Sequence, residues 1–132
     1  MTTRSVVLGS LLLALLTAPV SAQTQARWNR YPAISPDGRT IAFTYRGDLY
    51  RVPAGGGQAV ALTSHPAHDY KPVWSGDGER IAFASNRHGN FDIYVMPATG
   101  GEPTRLTYHS ADEEPFTFEI GDDSILFGAA RQ

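Results

Sequence analysis

The feature that most constrains this chain is that it repeats itself. Tyr31-Pro32-Ala33-Ile34-Ser35-Pro36-Asp37-Gly38-Arg39-Thr40-Ile41-Ala42-Phe43 returns forty positions later as Lys71-Pro72-Val73-Trp74-Ser75-Gly76-Asp77-Gly78-Glu79-Arg80-Ile81-Ala82-Phe83. Asp48-Leu49-Tyr50-Arg51-Val52-Pro53 returns as Asp92-Ile93-Tyr94-Val95-Met96-Pro97, now offset by 44. The change of offset locates a four-residue insertion where Tyr45-Arg46-Gly47 gives way to the longer Ser85-Asn86-Arg87-His88-Gly89-Asn90-Phe91. A third copy starts at Pro115-Phe116-Thr117-Phe118 and runs through Ile125-Leu126-Phe127. A period of this length marks a unit that shelters its apolar faces only against its neighbours.

Each copy parses as four short strands. In the second, Pro72 to Ser75 is the first strand, closed by a Gly-Asp-Gly turn. Arg80 to Ser85 is the second, with Ile81 and Phe83 on one face and Ala82 and Ala84 on the other. Asp92 to Met96 is the third, apolar on both faces, as befits a strand covered on two sides. Thr104 to Thr107 is the fourth, reached through Gly100-Gly101. No window carries the 3.6-residue period of an amphipathic helix. Four strands in such a repeat are one blade of a β-propeller. The expected fold is therefore all-β, an incomplete propeller of roughly two and a half four-stranded blades, against the 4–8 of a closed ring. The expected divisions are a lead-in over 23–30, blade 1 over 31–69, blade 2 over 70–113 and a partial blade 3 over 114–132. An open stack is expected to leave large side chains such as Trp74, Phe83 and Tyr94 without cover on its outer sides.

Composition closes off several alternatives. Of 132 residues 42% are hydrophobic and 18% charged, the mix of an ordinary globular protein. The formal charge of −2 gives no electrostatic footprint for nucleic acid. Cysteine is absent, which excludes disulfides, thiolate zinc sites and a cysteine nucleophile. Residues 1–22 read as a secretory signal peptide: Arg4, an apolar run from Val6 to Leu16, then Pro19 before the small cleavage site Val20-Ser21-Ala22. The run falls short of the roughly 20 residues of a membrane span, and no later stretch is apolar enough. The expected location is periplasmic or secreted, with no membrane span after cleavage.

The pattern Pro-x-Trp-Ser-x-Asp-Gly-x-x-Ile-Ala-Phe, followed by Asp92-Ile93-Tyr94-Val95-Met96 and Gly100-Gly101 with Arg105-Leu106-Thr107, resembles the TolB-type propeller repeat. More narrowly, Arg30 to Gly38 behind a signal peptide, and Gly89 to Pro97, resemble the start of bacterial tricorn-protease homologues. Those are large secreted serine peptidases in which propellers precede a PDZ module and a catalytic domain. The third copy departs from the pattern, with Glu119-Ile120-Gly121-Asp122 where Ser-Pro-Asp-Gly is expected. The resemblance implies a non-catalytic amino-terminal segment that binds or gates peptide substrates, with the nucleophilic serine and its partners downstream of Gln132. Its partners would be a peptide or protein substrate and the downstream domains of the parent chain. The alternative is a TolB-like periplasmic scaffold that engages protein partners and has no protease.

Candidate chemistry within the chain is sparse. His65, His68 and Asp69 have zinc-ligand chemistry, but His65 aligns with His109 and Asp69 with Glu113, which points to shared loop architecture. His88 falls in a turn and is given no role. No Gly-x-Ser-x-Gly elbow is present, and Ser35 and Ser75 open turns. Gly55-Gly56-Gly57 lacks the Lys-Ser/Thr of a phosphate loop. Asp37-Gly38 and Asp77-Gly78 lack the alternating aspartates of a calcium loop. Arg46-Gly47-Asp48 spells an adhesion tripeptide, but its place in the repeat makes it a hairpin turn. No catalytic residue, cofactor or metal is therefore expected. Asp112, Glu113, Glu114, Glu119, Asp122 and Asp123 form an acidic run that reads as a solvated face, with the capacity to attract basic peptides. If the family geometry applies, the first strand of each copy lies nearest the central channel. Tyr70, Lys71 and Trp74 are then the residues expected to touch a polypeptide.

Overall fold

The computed structural model describes residues 29–130, so the signal peptide expected over 1–22 lies outside the described residues. Strands β1 (Arg30–Ile34), β2 (Thr40–Tyr45), β3 (Asp48–Pro53) and β4 (Val60–Ala61) form one antiparallel meander. Strands β5 (Asp69–Trp74), β6 (Arg80–His88), β7 (Asn90–Pro97) and β8 (Thr104–Arg105) form a second. Strands β9 (Glu113–Phe118) and β10 (Ile125–Ala129) pair as a third, two-stranded sheet. The strand β1 packs against β5, and β5 against β9, so the first strands of successive sheets converge as propeller blades do. The sheets do not close into a ring. This is the incomplete all-β propeller expected from the repeat.

The turn after each first strand is written in side chains. The Ser35 hydroxyl donates to Asp37 Oδ1 at 2.6 Å, which also accepts the Arg39 N–H, while Ser35 Oγ accepts the Thr40 N–H. Ser75, Asp77, Glu79 and Arg80 reproduce every one of these bonds. Gly38 and Gly78 hold φ of 72° and 75°, where a Cβ is strained. In the third sheet Asp122 takes that left-handed position at φ 61°, and the turn forms with the same backbone bonds, Asp122 N–H to Glu119 O and Glu119 N–H to Ser124 O. Aspartate is one of the few residues that tolerate this conformation.

Each first strand also carries a bulge. Pro32 and Pro72 cannot donate to a ladder, and register slips between Arg30 and Ala33 and between Tyr70 and Val73. The residues before them, Tyr31 and Lys71, sit at φ 53° and 58°.

The core lies between the first two sheets and is built large against small. Ile81, Phe83, Tyr94 and Met96, with Trp74 at the edge, pack on Ala42, Leu49 and Leu62 of the first sheet. Alternation then turns Ala82, Ala84 and Ile93 towards the third sheet, and all three are buried. The second sheet, covered on both sides, is where burial is complete. Phe83 and Tyr94, expected to be bare at an open end, are buried for that reason, and Trp74 is half-buried. The uncovered apolar residues include Ile34 (60% exposed) on the first sheet and Phe116 and Leu126 on the third.

Three boundaries differ from the sequence expectation. The strand β5 starts at Asp69 rather than Pro72. The fourth strands are only two residues long. The four-residue insertion does not form a loop: it lengthens β6 to His88 and starts β7 at Asn90, through a register shift between Ser85 and His88. His88 thereby reaches Tyr94, its Nδ1 lying 2.6 Å from the phenol oxygen.

Candidate functional site

The amino-terminal ends of the first strands gather the charged and aromatic groups that face open space. Tyr70 of β5 donates its hydroxyl to Glu114 Oε1 at 2.7 Å, and Lys71 Nζ donates to Glu114 Oε2 at 2.7 Å. One carboxylate therefore joins two consecutive residues of the neighbouring blade. The Lys71 ammonium also stands 4.7 Å from the centre of the exposed Phe116 ring. On the other side, Tyr31 of β1 packs on Tyr70 with ring centres 5.4 Å apart. Phe91 and His68 meet Tyr70 edge-on at 4.8 Å and 5.7 Å.

The electrostatics of this lip follow from the shared carboxylate. The hydrogen bond from Lys71, and after it that from Tyr70, holds the Glu114 carboxyl below the usual carboxylate range. Burial, and next the bond to Glu114, pushes the Tyr70 phenol well above its ordinary value. Glu114 thus stays ionised and Tyr70 stays neutral, which keeps both bonds charge-assisted.

Of the three residues singled out in the sequence, the structure brings Tyr70 and Lys71 together and sets Trp74 apart at the far end of β5. The Trp74 indole N–H donates to Ala33 O at 2.9 Å, tying the second blade to the first. Glu114 was visible only as one acid in a run. Its signal was the repeat offset of 44, which makes it the counterpart of Tyr70 on the adjoining first strand. Nor is the acidic run one solvated face. Glu113 and Asp122 are buried, Asp112 accepts the Phe91 N–H at 3.0 Å, and Glu119 accepts the Ser124 hydroxyl. The Asp122 carboxylate accepts the Gly76 and Asp77 N–H groups at 2.6 and 2.9 Å, and Arg80 donates to its carbonyl.

His65, His68 and His109 keep to the loops, while His88 ends β6. His65 Nδ1 accepts the Ala67 N–H and His109 Nδ1 the Ala111 N–H, both at 3.0 Å, the same device in successive copies. Asp69 is bound to Arg87 and Asp92 to Arg105, each at 2.8 Å, and both carboxylates are fully buried. Asp69 Oδ1, Asp92 Oδ1 and Glu113 Oε2 have no hydrogen-bond partner among the described residues. Even so, no three His, Asp or Glu side chains gather as a metal site among the described residues. Arg46 and Gly47 form the β2–β3 turn at φ 53° and 90°, and Asp48 Oδ1 accepts the His65 N–H, so the tripeptide is a hairpin. Among the described residues no helix is long and apolar enough to cross a membrane.

The comparisons with known proteins agree with the propeller fold. Two peptidases match part of the chain. One is YuxL of Bacillus subtilis, named as an uncharacterised peptidase, 46% identical over 63 residues, which is 44% of this chain and 9% of YuxL. The other is dipeptidyl-peptidase 5 of Porphyromonas gingivalis, 32% identical over 68 residues, 44% of this chain and 10% of that enzyme. Among solved structures, a TolB from Agrobacterium tumefaciens superposes with a TM-score of 0.68 at 25% identity, over 76% of this chain and 37% of its own. TolB from Acinetobacter baumannii gives 0.65 at 24% identity, over 74% and 26%, a likeness of fold. The chain thus spans only a small part of each of these proteins. The family model of the tricorn protease N-terminal beta propeller domain matches residues 26–132, and the chain belongs to that family.

Proposed function

We propose that this chain is the substrate-facing propeller segment of an exported tricorn-like serine peptidase, and that it binds or gates polypeptides rather than cleaving them. The observation that carries this reading is the lip at the converging first strands. There Tyr31, Lys71, Glu114 and Phe116 offer aromatic faces and fixed charge where a propeller has its central channel. Aromatic rings beside charged groups suit an extended peptide, whose side chains and backbone are both apolar and polar. The match of the family to residues 26–132, and the two peptidases among the relatives, support the link to proteolysis. In this reading catalysis belongs to another part of the parent protein, the segment 1–22 directs export, and blades divide at 31–69, 70–113 and 114–132. Trp74 contributes from the other end of β5.

The test is the affinity of the chain for an unfolded polypeptide such as reduced, alkylated casein. Lys71→Ala with Phe116→Ala is expected to weaken binding about tenfold, the loss of one ionic and one aromatic contact. Unchanged affinity in a folded double variant overturns the reading. The TolB likeness favours a second reading, a scaffold for folded protein partners without a protease. Binding of folded envelope proteins with no affinity for casein would support that reading instead.

A further inference from the structure

The interface between the second and third sheets and the interface between the first and second are built from equivalent positions, but one is filled and the other is not. In the filled one, Arg80 at the start of β6 extends its guanidinium over the Phe118 ring, 5.4 Å from its centre, and donates to Asp122 O at 2.7 Å. The counterpart of Arg80 in the other interface is Thr40, since the backbone N–H of each donates to the serine hydroxyl oxygen of its turn. The counterpart of Phe118 is Trp74, the last residue of its first strand, and the counterpart of Asp122 is Gly78. A short threonine thus stands where a long cation stands in the next repeat. The result is a cleft of about 440 Å³ bounded by Thr40, Trp74 and Gly78, with Asp37 and Asp77 on its walls. Arg51 also lines it, with Nη1 donating to Ala98 O at 3.2 Å, and among the described residues no cation stands over the Trp74 ring.

We propose that this cleft is a binding site for an arginine side chain of a peptide or protein partner, whose guanidinium takes the place over Trp74 that Arg80 takes over Phe118. Indole is the best of the aromatic faces for a cation. The Gly78 carbonyl corresponds to the carbonyl that Arg80 uses. Against the one cation of the wall, Arg51, the two aspartates leave the cleft net negative, each held ionised by the serine hydroxyl and backbone N–H that bind it. A planar guanidinium can stack and donate in plane at once, which a lysine ammonium cannot. The site lies at the opposite end of the sheets from the Tyr70–Lys71 lip and does not depend on it.

The experiment titrates the full chain with the capped pentapeptide Gly-Gly-Arg-Gly-Gly and follows the Trp74 indole N–H resonance by NMR. The same peptide with lysine, or with the neutral isostere citrulline, serves as comparison. The arginine peptide is expected to shift the resonance saturably and to bind about tenfold more tightly than the citrulline peptide, with lysine between them. Thr40→Arg is expected to fill the cleft from within, shifting the indole resonance without peptide and abolishing the response. If that variant does not fold, Asp37→Asn with Asp77→Asn decides, since asparagine keeps the turn acceptors while removing the charge. Arginine-peptide binding weakened several-fold supports the site. Equal binding of arginine and citrulline peptides, no response up to roughly 10 mM, or unchanged binding in the filled or neutralised variants overturns it.

Discussion

Asp122 combines two roles in the third copy. Its backbone occupies the left-handed turn position that glycine fills at 38 and 78, and its carboxylate clamps the turn of the preceding sheet. Asp122→Gly leaves the backbone free to adopt that turn and removes only the clamp. It should lower unfolding stability by about 1–3 kcal/mol, the range for a buried charge-assisted hydrogen-bond pair, measured by denaturant midpoint. No loss would show the clamp to be incidental. Glu114 and Tyr70 make the second residue-scale prediction. Glu114 has its carboxyl held below its ordinary 4.5, so the stability it adds is complete above that value and disappears as pH falls through the lowered pKa. Tyr70 is shifted upward from 10.0, so its contribution is complete below that value and is lost as pH rises past it. Tyr70→Phe should therefore lose less stability than the parent between about pH 9 and pH 11, and an identical alkaline decline would refute the pairing. The sequence singled out Tyr70 and Lys71 because the repeat puts them beside a first strand. It hid Glu114 and Asp122, because an acid in a run of acids shows its partner only once two sheets are side by side.

At the level of strands and sheets, order and pairing were readable from the two-residue alternation of Ile81, Ala82, Phe83 and Ala84 and from the glycine turns. The insertion at Ser85–Phe91 is located by the repeat offset, but its extended hairpin is not. Its polar residues look like a loop, yet Arg87 is held by Asp69 and Ser85, and His88 by Tyr94, so side-chain bonds carry the hairpin outward. The large-on-small packing also has a direction, since Leu49 faces the second sheet and Leu126 faces none. Leu49→Ala should cost about 2–5 kcal/mol, as for other buried leucines. Leu126→Ala should change stability by about 0.5 kcal/mol or less. Thermal or urea unfolding of the pair checks this, and equal costs would mean that the stacking order is wrong.

Across the whole molecule, protection from water is uneven. Among the described residues the second sheet has a neighbour on each side, whereas the first and third each have one, and Ile34 and Leu126 stand half or more exposed. Covering a large apolar side chain stabilises by about 1.5–3 kcal/mol, so the middle of such a stack is held by several contacts that its ends lack. The repeat announced this architecture because every copy carries the same turn and strand pattern. Which side chains end up bare was not readable from one copy, since Ile34 and Trp74 hold the same place in successive copies and only Trp74 finds a neighbouring sheet. Native-state hydrogen exchange, amide by amide, tests the stack most directly. The account predicts the slowest exchange in β6 and β7, with faster exchange in β1, β2, β9 and β10. Equal protection of all three sheets, exchanging as one cooperative unit, would contradict it.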